Sequence, residues 1–368
     1  MSLTLFTPGD KVISTDKLVT STWTNNVNSF QAQFTSSAQA NFSSPTSSGQ
    51  FFIELFNQPT DNLTGSVDVQ CSIAYGHRMG SGSPAFTDNT GSLGIGASKV
   101  IYGQYQSLVF RDELTFFQFN THTPDQIYVI NINRARYKHS LRPGTLNLHL
   151  SASQLNPAYE TAGKRHEVHL TDDSVTSAGV SQQTALGRQF NIVSGANGIM
   201  SGSNLGQVGG SSSYGLFYPD AGIIILNADN FGGQLSASQD PAVSTNINRN
   251  HQLLRNVMSG SVGGDNTSGQ PEDDPAGDVF ILDSEEKVTS QYYFVRAKNL
   301  EYNYTTNPSF VDTTGALNFD SMIDNPTVYI TTVGLFNNAG DMVAVAKLSQ
   351  PVTKDFTKEA LIRVKLDY

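Results

Sequence analysis

Arg165-His166-Glu167-Val168-His169 sets two imidazoles around a carboxylate, the raw material of a zinc hydrolase. A zinc helix of that class needs His-Glu-x-x-His, which brings both imidazoles to one face, one turn apart. Here the histidines are three apart in a stretch that alternates like a strand, where His166 and His169 point to opposite faces. The reading is a polar surface strand and no metal site. Gly91-Ser92-Leu93-Gly94-Ile95-Gly96, followed by Lys99, offers backbone N–H groups to an anion ahead of a helix. Its spacing matches neither the Walker loop nor the dinucleotide fingerprint, so it reads as a loop entering a helix. Asp265, Glu272, Asp273, Asp274 and Asp278 are hard oxygen ligands without the every-second-residue spacing of a calcium loop, and read as a solvated acidic segment. Carboxylate pairs for glycoside hydrolysis meet in space rather than in sequence, and nothing marks one pair here.

The nucleophiles give the same answer. Cys71 lies in the alternating stretch Val67–Tyr75 and shares a face with Val69 and Ile73, the position of a small buried apolar residue. Ser203 and the other glycine-flanked serines lack the strand-to-helix Gly-x-Ser-x-Gly context of a hydrolase elbow. No catalytic, cofactor-binding or metal-binding residue is assigned, and the chain is read as a non-enzyme that needs no cofactor.

The elements that would carry any site are strands. Charged residues are only 15% of the chain, while Gly, Ser, Thr and Asn abound and 21 Phe and 14 Tyr supply core, a balance that favours strands and turns over helices. The expected class is mainly β, with β-sandwich-like units, long Gly/Ser/Asn-rich loops and one or two short helices. The net charge of −10 repels phosphate backbones, so nucleic acid is not expected as a partner. No apolar run approaches the roughly 20 residues of a membrane span. The amino terminus lacks a basic and then apolar leader, and one cysteine permits no internal disulfide, so assembly in a reducing cytoplasm is expected.

Along the chain, 1–231 reads as an amino-terminal β region with a loop-rich part at 174–213, 232–277 as a loop-rich connector, and 278–368 as a carboxyl-terminal β domain. Strands are expected at Phe51–Phe56, Val67–Tyr75, Gln126–Arg134, Leu146–Leu150, Arg165–Leu170 and Gly222–Leu226, then at Gln291–Ala297, Ala297–Tyr304, Thr327–Phe336, Met342–Leu348 and Ala360–Leu366. Arg165–Leu170 is a candidate partner for the Leu146 strand. Pro143-Gly144 marks a turn, and Asn337–Asp341 a hairpin connection. Val100, Ile101, Tyr105, Leu108 and Val109 fall at helical spacing, as do Ile247, Leu253, Leu254, Val257 and Met258.

The carboxyl-terminal third carries a further signal. Gln291–Tyr304, Asn307-Pro308-Ser309-Phe310 and Asn325–Asn337, with Ile130–Lys138 and Ala360–Tyr368, resemble virion structural proteins of tailed phages, the T-even-like myoviruses of cyanobacteria and marine bacteria above all. Val333–Asn337 with Met342–Ala346 is similar to a hairpin of phage tail-collar and fibre-attachment domains. The resemblance implies a non-enzymatic baseplate or tail-periphery protein, assembled in the host cytoplasm, present in several symmetric copies and docked on other virion proteins. Exposed edges, the last strand Ala360–Leu366 among them, and aromatics near Phe294, Tyr302, Tyr304 and Phe336 are the candidate contacts. The same aromatics would otherwise fill the carboxyl-terminal core. An alternative is a tail protein that recognises host glycans, with Trp23 and tyrosines stacking on sugars; a third is a polysaccharide-degrading tail enzyme.

Overall fold

Ile127-Tyr128-Val129-Ile130 and Ile223-Ile224-Ile225-Leu226 are apolar at every position, so strands made from them need cover on both faces. A computed structural model of the chain describes residues 4–26, 30, 52–57, 68–80, 97–119, 122–155, 165–176, 182–201, 213–231, 254, 258 and 280–368. In chain order its elements are β1 (Lys11–Ser21), β2 (Phe52–Asn57), β3 (Asp68–His77), α1 (Ala97–Phe110), β4 (Gln126–Ile132), β5 (Ser140–Leu141), β6 (Asn147–Leu155), β7 (Arg165–Asp172), β8 (Gln182–Thr184), β9 (Gly187–Ala196), β10 (Ile199–Met200), β11 (Gly215–Tyr218), β12 (Ile223–Asn227), β13 (Phe280–Ile281), β14 (Asp283–Ala297), α2 (Ser321–Asp324), β15 (Val328–Phe336), β16 (Met342–Lys354) and β17 (Ala360–Asp367). The protein is mainly β, as its composition requires.

Two compact units divide the chain: Leu18–Glu286, and Met1–Lys17 together with Lys287–Tyr368. The sequence boundaries at 231 and 277 differ from this division. The first seventeen residues belong with the carboxyl-terminal unit because β1 pairs with β14, and β13 belongs with the large unit because Phe280 pairs with Leu148. Both passages of the chain between units fall inside strands, β1 and β14.

The large unit is built on a sheet in the order β13-β6-β7-β9-β11-β12-β4-β3-β2, with β8 and β10 added to β9. At its centre β12 runs antiparallel to β4, with Ile224 opposite Ile130 and Ile225 opposite Val129. Alternate residues of this pair enter different cores. Ile130, Ile224 and Leu226 join Ile73, Leu148, Leu170, Ile192 and Phe217 on one face. On the other, Ile127, Val129, Ile223 and Ile225 pack under α1 through Tyr102 and Val109, with Phe117 and Phe119. The helix crosses β3 at Gly76, where a Cβ would stand 3.0 Å from the Tyr102 backbone nitrogen.

Several expectations are corrected. Helix α1 covers its expected residues, but its buried face is Ile101, Tyr102, Gln106 and Val109, while Val100 and Leu108 point outward. Within 174–213, of which 177–181 and 202–212 lie outside the described residues, β8, β9 and β10 form, and Asn197-Gly198, both at positive φ, turns β9 into β10 with Ile199 opposite Ala196. The pairing of β7 with β6 is as expected, Leu170 opposite Leu148. From the proposed helix at 247–258, Leu254 and Met258 are helical and fully buried; the other residues of that stretch lie outside the described ones.

In the smaller unit, β14 lies between β1 and β17, and β14 and β17 pair over eight residues from Ser290–Asp367 to Ala297–Ala360. Hairpin β15–β16 forms a second layer. Val333 and Leu335 meet Ile362 and Val364 between the layers, flanked by Tyr293 and Val295, which makes this unit a small sandwich. The last strand is therefore core, whatever its outer edge does. The strand expected over Ala297–Tyr304 is absent: β14 stops at Ala297, since Asn299 and Asn303 turn their side chains onto local backbone and compete with a ladder.

Gly222 illustrates how tightly the central pair is closed. It sits at φ +71°, and a Cβ there would lie 2.6 Å from the Tyr137 hydroxyl. Gly222→Ala is expected to destabilise the large unit by about 2–4 kcal/mol, from left-handed strain plus overpacking. Gly315 shares the positive φ but has open space around it, so Gly315→Ala should cost only the strain, about 1–2 kcal/mol. Urea unfolding of both variants measures the contrast.

Candidate interaction surface

Of the residues with chemical potential in the sequence, Cys71, His169 and Trp23 lie among the described ones. Cys71 is fully buried, and burial pushes its thiol far above the ordinary range, away from thiolate chemistry. His169 lies on strand β7 and stacks on His149, its register partner on β6, with ring centres 4.0 Å apart. Among the described residues no group of three or more His, Cys, Asp or Glu could hold a metal. The His166 side chain, Gly91–Gly96, Ser203 and the acidic segment 265–278 lie outside the described residues. Trp23 cannot stack on a sugar: it is 2% exposed, wedged between Phe30 and Phe280 at 4.8 and 4.9 Å.

Long-range polar networks, invisible as motifs, hold the large unit together. Arg188 on β9 donates to Asp220 in the β11–β12 turn at 2.7 Å, to Ser140 on β5 at 2.9 Å and to the buried Glu285 on β14 at 3.2 Å. Asp229 receives His122 Nε2 at 2.9 Å and Gln126 Nε2 at 2.8 Å, and the Tyr75 hydroxyl donates to Gln126 Oε1. This is an oriented imidazole–carboxylate pair, and among the described residues no serine, threonine or cysteine side chain bonds to His122. A cleft of about 320 Å³ opens beside β2–β4, lined by Glu54, Ser72, Asn131, Arg134 and Tyr137 among others. Glu54 is its one acid, and Arg134 is engaged with Tyr137, donating to its carbonyl and lying 4.6 Å over its ring.

The smaller unit has a different surface. It carries ten basic and ten acidic residues, net zero, whereas the large unit carries twelve and twenty-two and holds the whole −10. Eighteen exposed large apolar side chains lie on the smaller unit, against ten among the described residues of the larger. Three of the four aromatics singled out from sequence are among the eighteen. Tyr304 is 59% exposed with its ring edge-on to Phe310, Tyr302 is 39% exposed with its hydroxyl on Thr4, and Phe336 is 36% exposed at the end of β15. Phe294 is half-buried on β14 opposite Arg363. The four lie on three different elements and form no single cluster. Sequence reading missed the rest of the hairpin face around Phe336: Met342 opposite it, Val343, and Val345 opposite Gly334, each more than half exposed. Their alternation along β16 was the available signal.

The loop that presents Tyr302 and Tyr304 is held from inside. Lys354 is 0% exposed and donates to the Asn299 carbonyl at 2.9 Å, Asn303 Oδ1 at 2.7 Å and the Asp355 carbonyl at 2.9 Å. Beside it the Asp355 carboxyl, hydrogen-bonded first by the Thr357 hydroxyl and then by Lys358, is held down at about 2.

Comparison with protein-family models, curated proteins and solved structures gave no match to this chain.

Two outcomes follow from this geometry. Lys354→Met leaves three oxygens without their donor, two of them in buried hydrogen bonds, and is expected to cost about 1–3 kcal/mol for each acceptor that water does not reach. Hydrogen exchange should show faster opening of residues 298–304 than elsewhere in the unit; an unchanged exchange pattern would contradict the anchoring role. His77 is the pH-sensitive group: burial lowers its pKa below 6.5 against the opposing charges of Asp125 and Asp229, and its Nδ1 accepts from the Met79 amide, which requires the neutral ring. The unfolded chain then binds the proton more readily, so this stability is complete above about pH 6.5 and is lost as pH falls toward the folded value. His77→Gln should flatten the fall of the thermal midpoint between about pH 7 and pH 5.

Proposed function

We propose that the chain is a non-enzymatic structural component of a tailed-phage virion, a baseplate or tail-periphery subunit present in several symmetric copies and docked on other virion proteins through its smaller unit. The observation that carries the docking half of this reading is the pairing of net-zero charge with a concentration of exposed apolar side chains on that unit. A charge-balanced, apolar-studded sandwich is costly to leave in water and suits burial against protein, because interface cores are depleted in charge and enriched in aromatic and Met side chains. The virion half rests on the resemblance of Gln291–Tyr304, Asn325–Asn337 and Ala360–Tyr368 to tailed-phage particle proteins.

Mass spectrometry and cryo-EM of purified particles test the reading. The expected result is the chain in the particle, in a fixed copy number, with its smaller unit covered by neighbours at the baseplate or tail periphery. Presence in infected cells but absence from particles sinks it. A position on the capsid would remove the tail assignment, and an uncovered distal position would favour receptor recognition.

A further inference from the structure

β15 is an edge strand whose register with β16 shifts at Ile330/Thr332 and at Leu335/Phe336 and runs regularly from Thr332 to Leu335 between them. Among the described residues it pairs with β16 alone, and no loop backbone bonds to its other side. Val328–Phe336 contains neither a charge nor a proline. The other edge strands of the unit all contain them: Lys11, Asp16 and Lys17 on β1, Lys347 and Pro351 on β16, Arg363 and Lys365 on β17. Edge charges and prolines block pairing with another chain, so β15 is the edge left able to accept a strand.

Charge and pattern together select the occupant. The incoming strand must be uncharged, with apolar residues on the inner face to continue the layer of Val333 and Leu335. β15 itself meets that requirement. Two copies of a net-zero unit also approach without the repulsion that the −10 unit would bring. We infer that two copies of this chain join edge to edge through β15; this rests on the docking reading and names the partner of one edge. A two-fold axis relating adjacent antiparallel strands runs normal to the sheet, pairs residues of the same face, and passes through a residue rather than between two. Centred on Gly334, it sets Val333 against Leu335 of the second copy on the inner face and Thr332 against Phe336 on the outer. The exposed Phe336, Met342, Val343 and Val345 of both copies then line one apolar face.

Cysteine cross-linking and sedimentation equilibrium of the full chain test the contact. Gly334→Cys, whose Cβ would stand 3.1 Å from the exposed Phe336 ring and needs that ring to turn aside, places a thiol on the axis opposite its own copy, and oxidation gives a covalent dimer. Val345→Cys lies one strand further in, about 14 Å from its copy over three strand spacings, beyond disulfide reach. Cys71 is buried and adds no background. The unmodified chain is a dimer in sedimentation, and Thr332→Glu, whose carboxylate faces Lys347 of the same chain, weakens it about tenfold or more without changing the circular dichroism. A monomeric unmodified chain, equal cross-linking at 334 and 345, or a dimer indifferent to Thr332→Glu overturns the contact. None of these outcomes touches the virion reading, which particle composition decides.

Discussion

The pairing of β4 with β12 is the constraint from which the large unit follows. Every residue from Ile127 to Ile130 and from Ile223 to Leu226 is buried, and each aliphatic side chain removed from water contributes about 1.5–3 kcal/mol before entropy is counted. Neither strand can stand at an edge or face water on one side. The pair must sit in the middle of a sheet with a layer on each face, and that requirement recruits α1 with Phe117 and Phe119 to one side and the side chains of β6, β7 and β9 to the other. The next strand, β3, shares both layers: Cys71, Ile73 and Tyr75 point into the larger core, while Ala74 and Gly76 are buried on the face that α1 crosses.

Polar groups then decide how the pieces are held, since apolar burial is non-directional. Arg188 joins three segments that are distant in sequence, and Asp229 joins His122 to Gln126. A charge taken partly out of water is costly unless every donor finds an acceptor. Such networks therefore act less as a source of stability than as a selection of one arrangement of loops. Lys354 shows the same logic in the smaller unit: its ammonium is satisfied by three oxygens that converge only when the 298–304 loop is folded back.

What could be read from sequence was whatever is encoded within a few residues. The two continuous apolar runs, the β15–β16 hairpin and the extent of α1 are local patterns of burial or turn chemistry. The Asn197-Gly198 turn was equally local and its signal was present, but the surrounding Ser and Gly content masked it, so β8–β10 were taken for loop. The orientation of α1 was not local: Val100 and Val109 are equally apolar, and only the position of Gly76 under Tyr102 settles which face turns inward. The assignment of β1 to the carboxyl-terminal unit was out of reach for the same reason, because strand partners almost 300 residues apart leave no mark in either segment. The aromatics of the candidate surface were half legible. Residue type alone does not tell that Tyr302, Tyr304 and Phe336 stand exposed, that Phe294 is half-buried and that Trp23 is buried, because exposure is decided by distant segments.

The uneven distribution of charge gives these observations a common direction. A chain that merely needed solubility would spread its ten excess acids over its whole surface, where each adds to self-repulsion and keeps copies apart. Here they all fall in one unit, and the other, at net zero, carries most of the large apolar side chains that are exposed among the described residues, together with β15, which among that unit's own edge strands lacks both charge and proline. The excess acid makes a direct approach of two large units unfavourable, whereas a contact made by the smaller unit's own surface adds no net charge. Charge rather than apolarity alone therefore distinguishes the two surfaces, since both units carry exposed apolar side chains and only one of them is also charge-balanced.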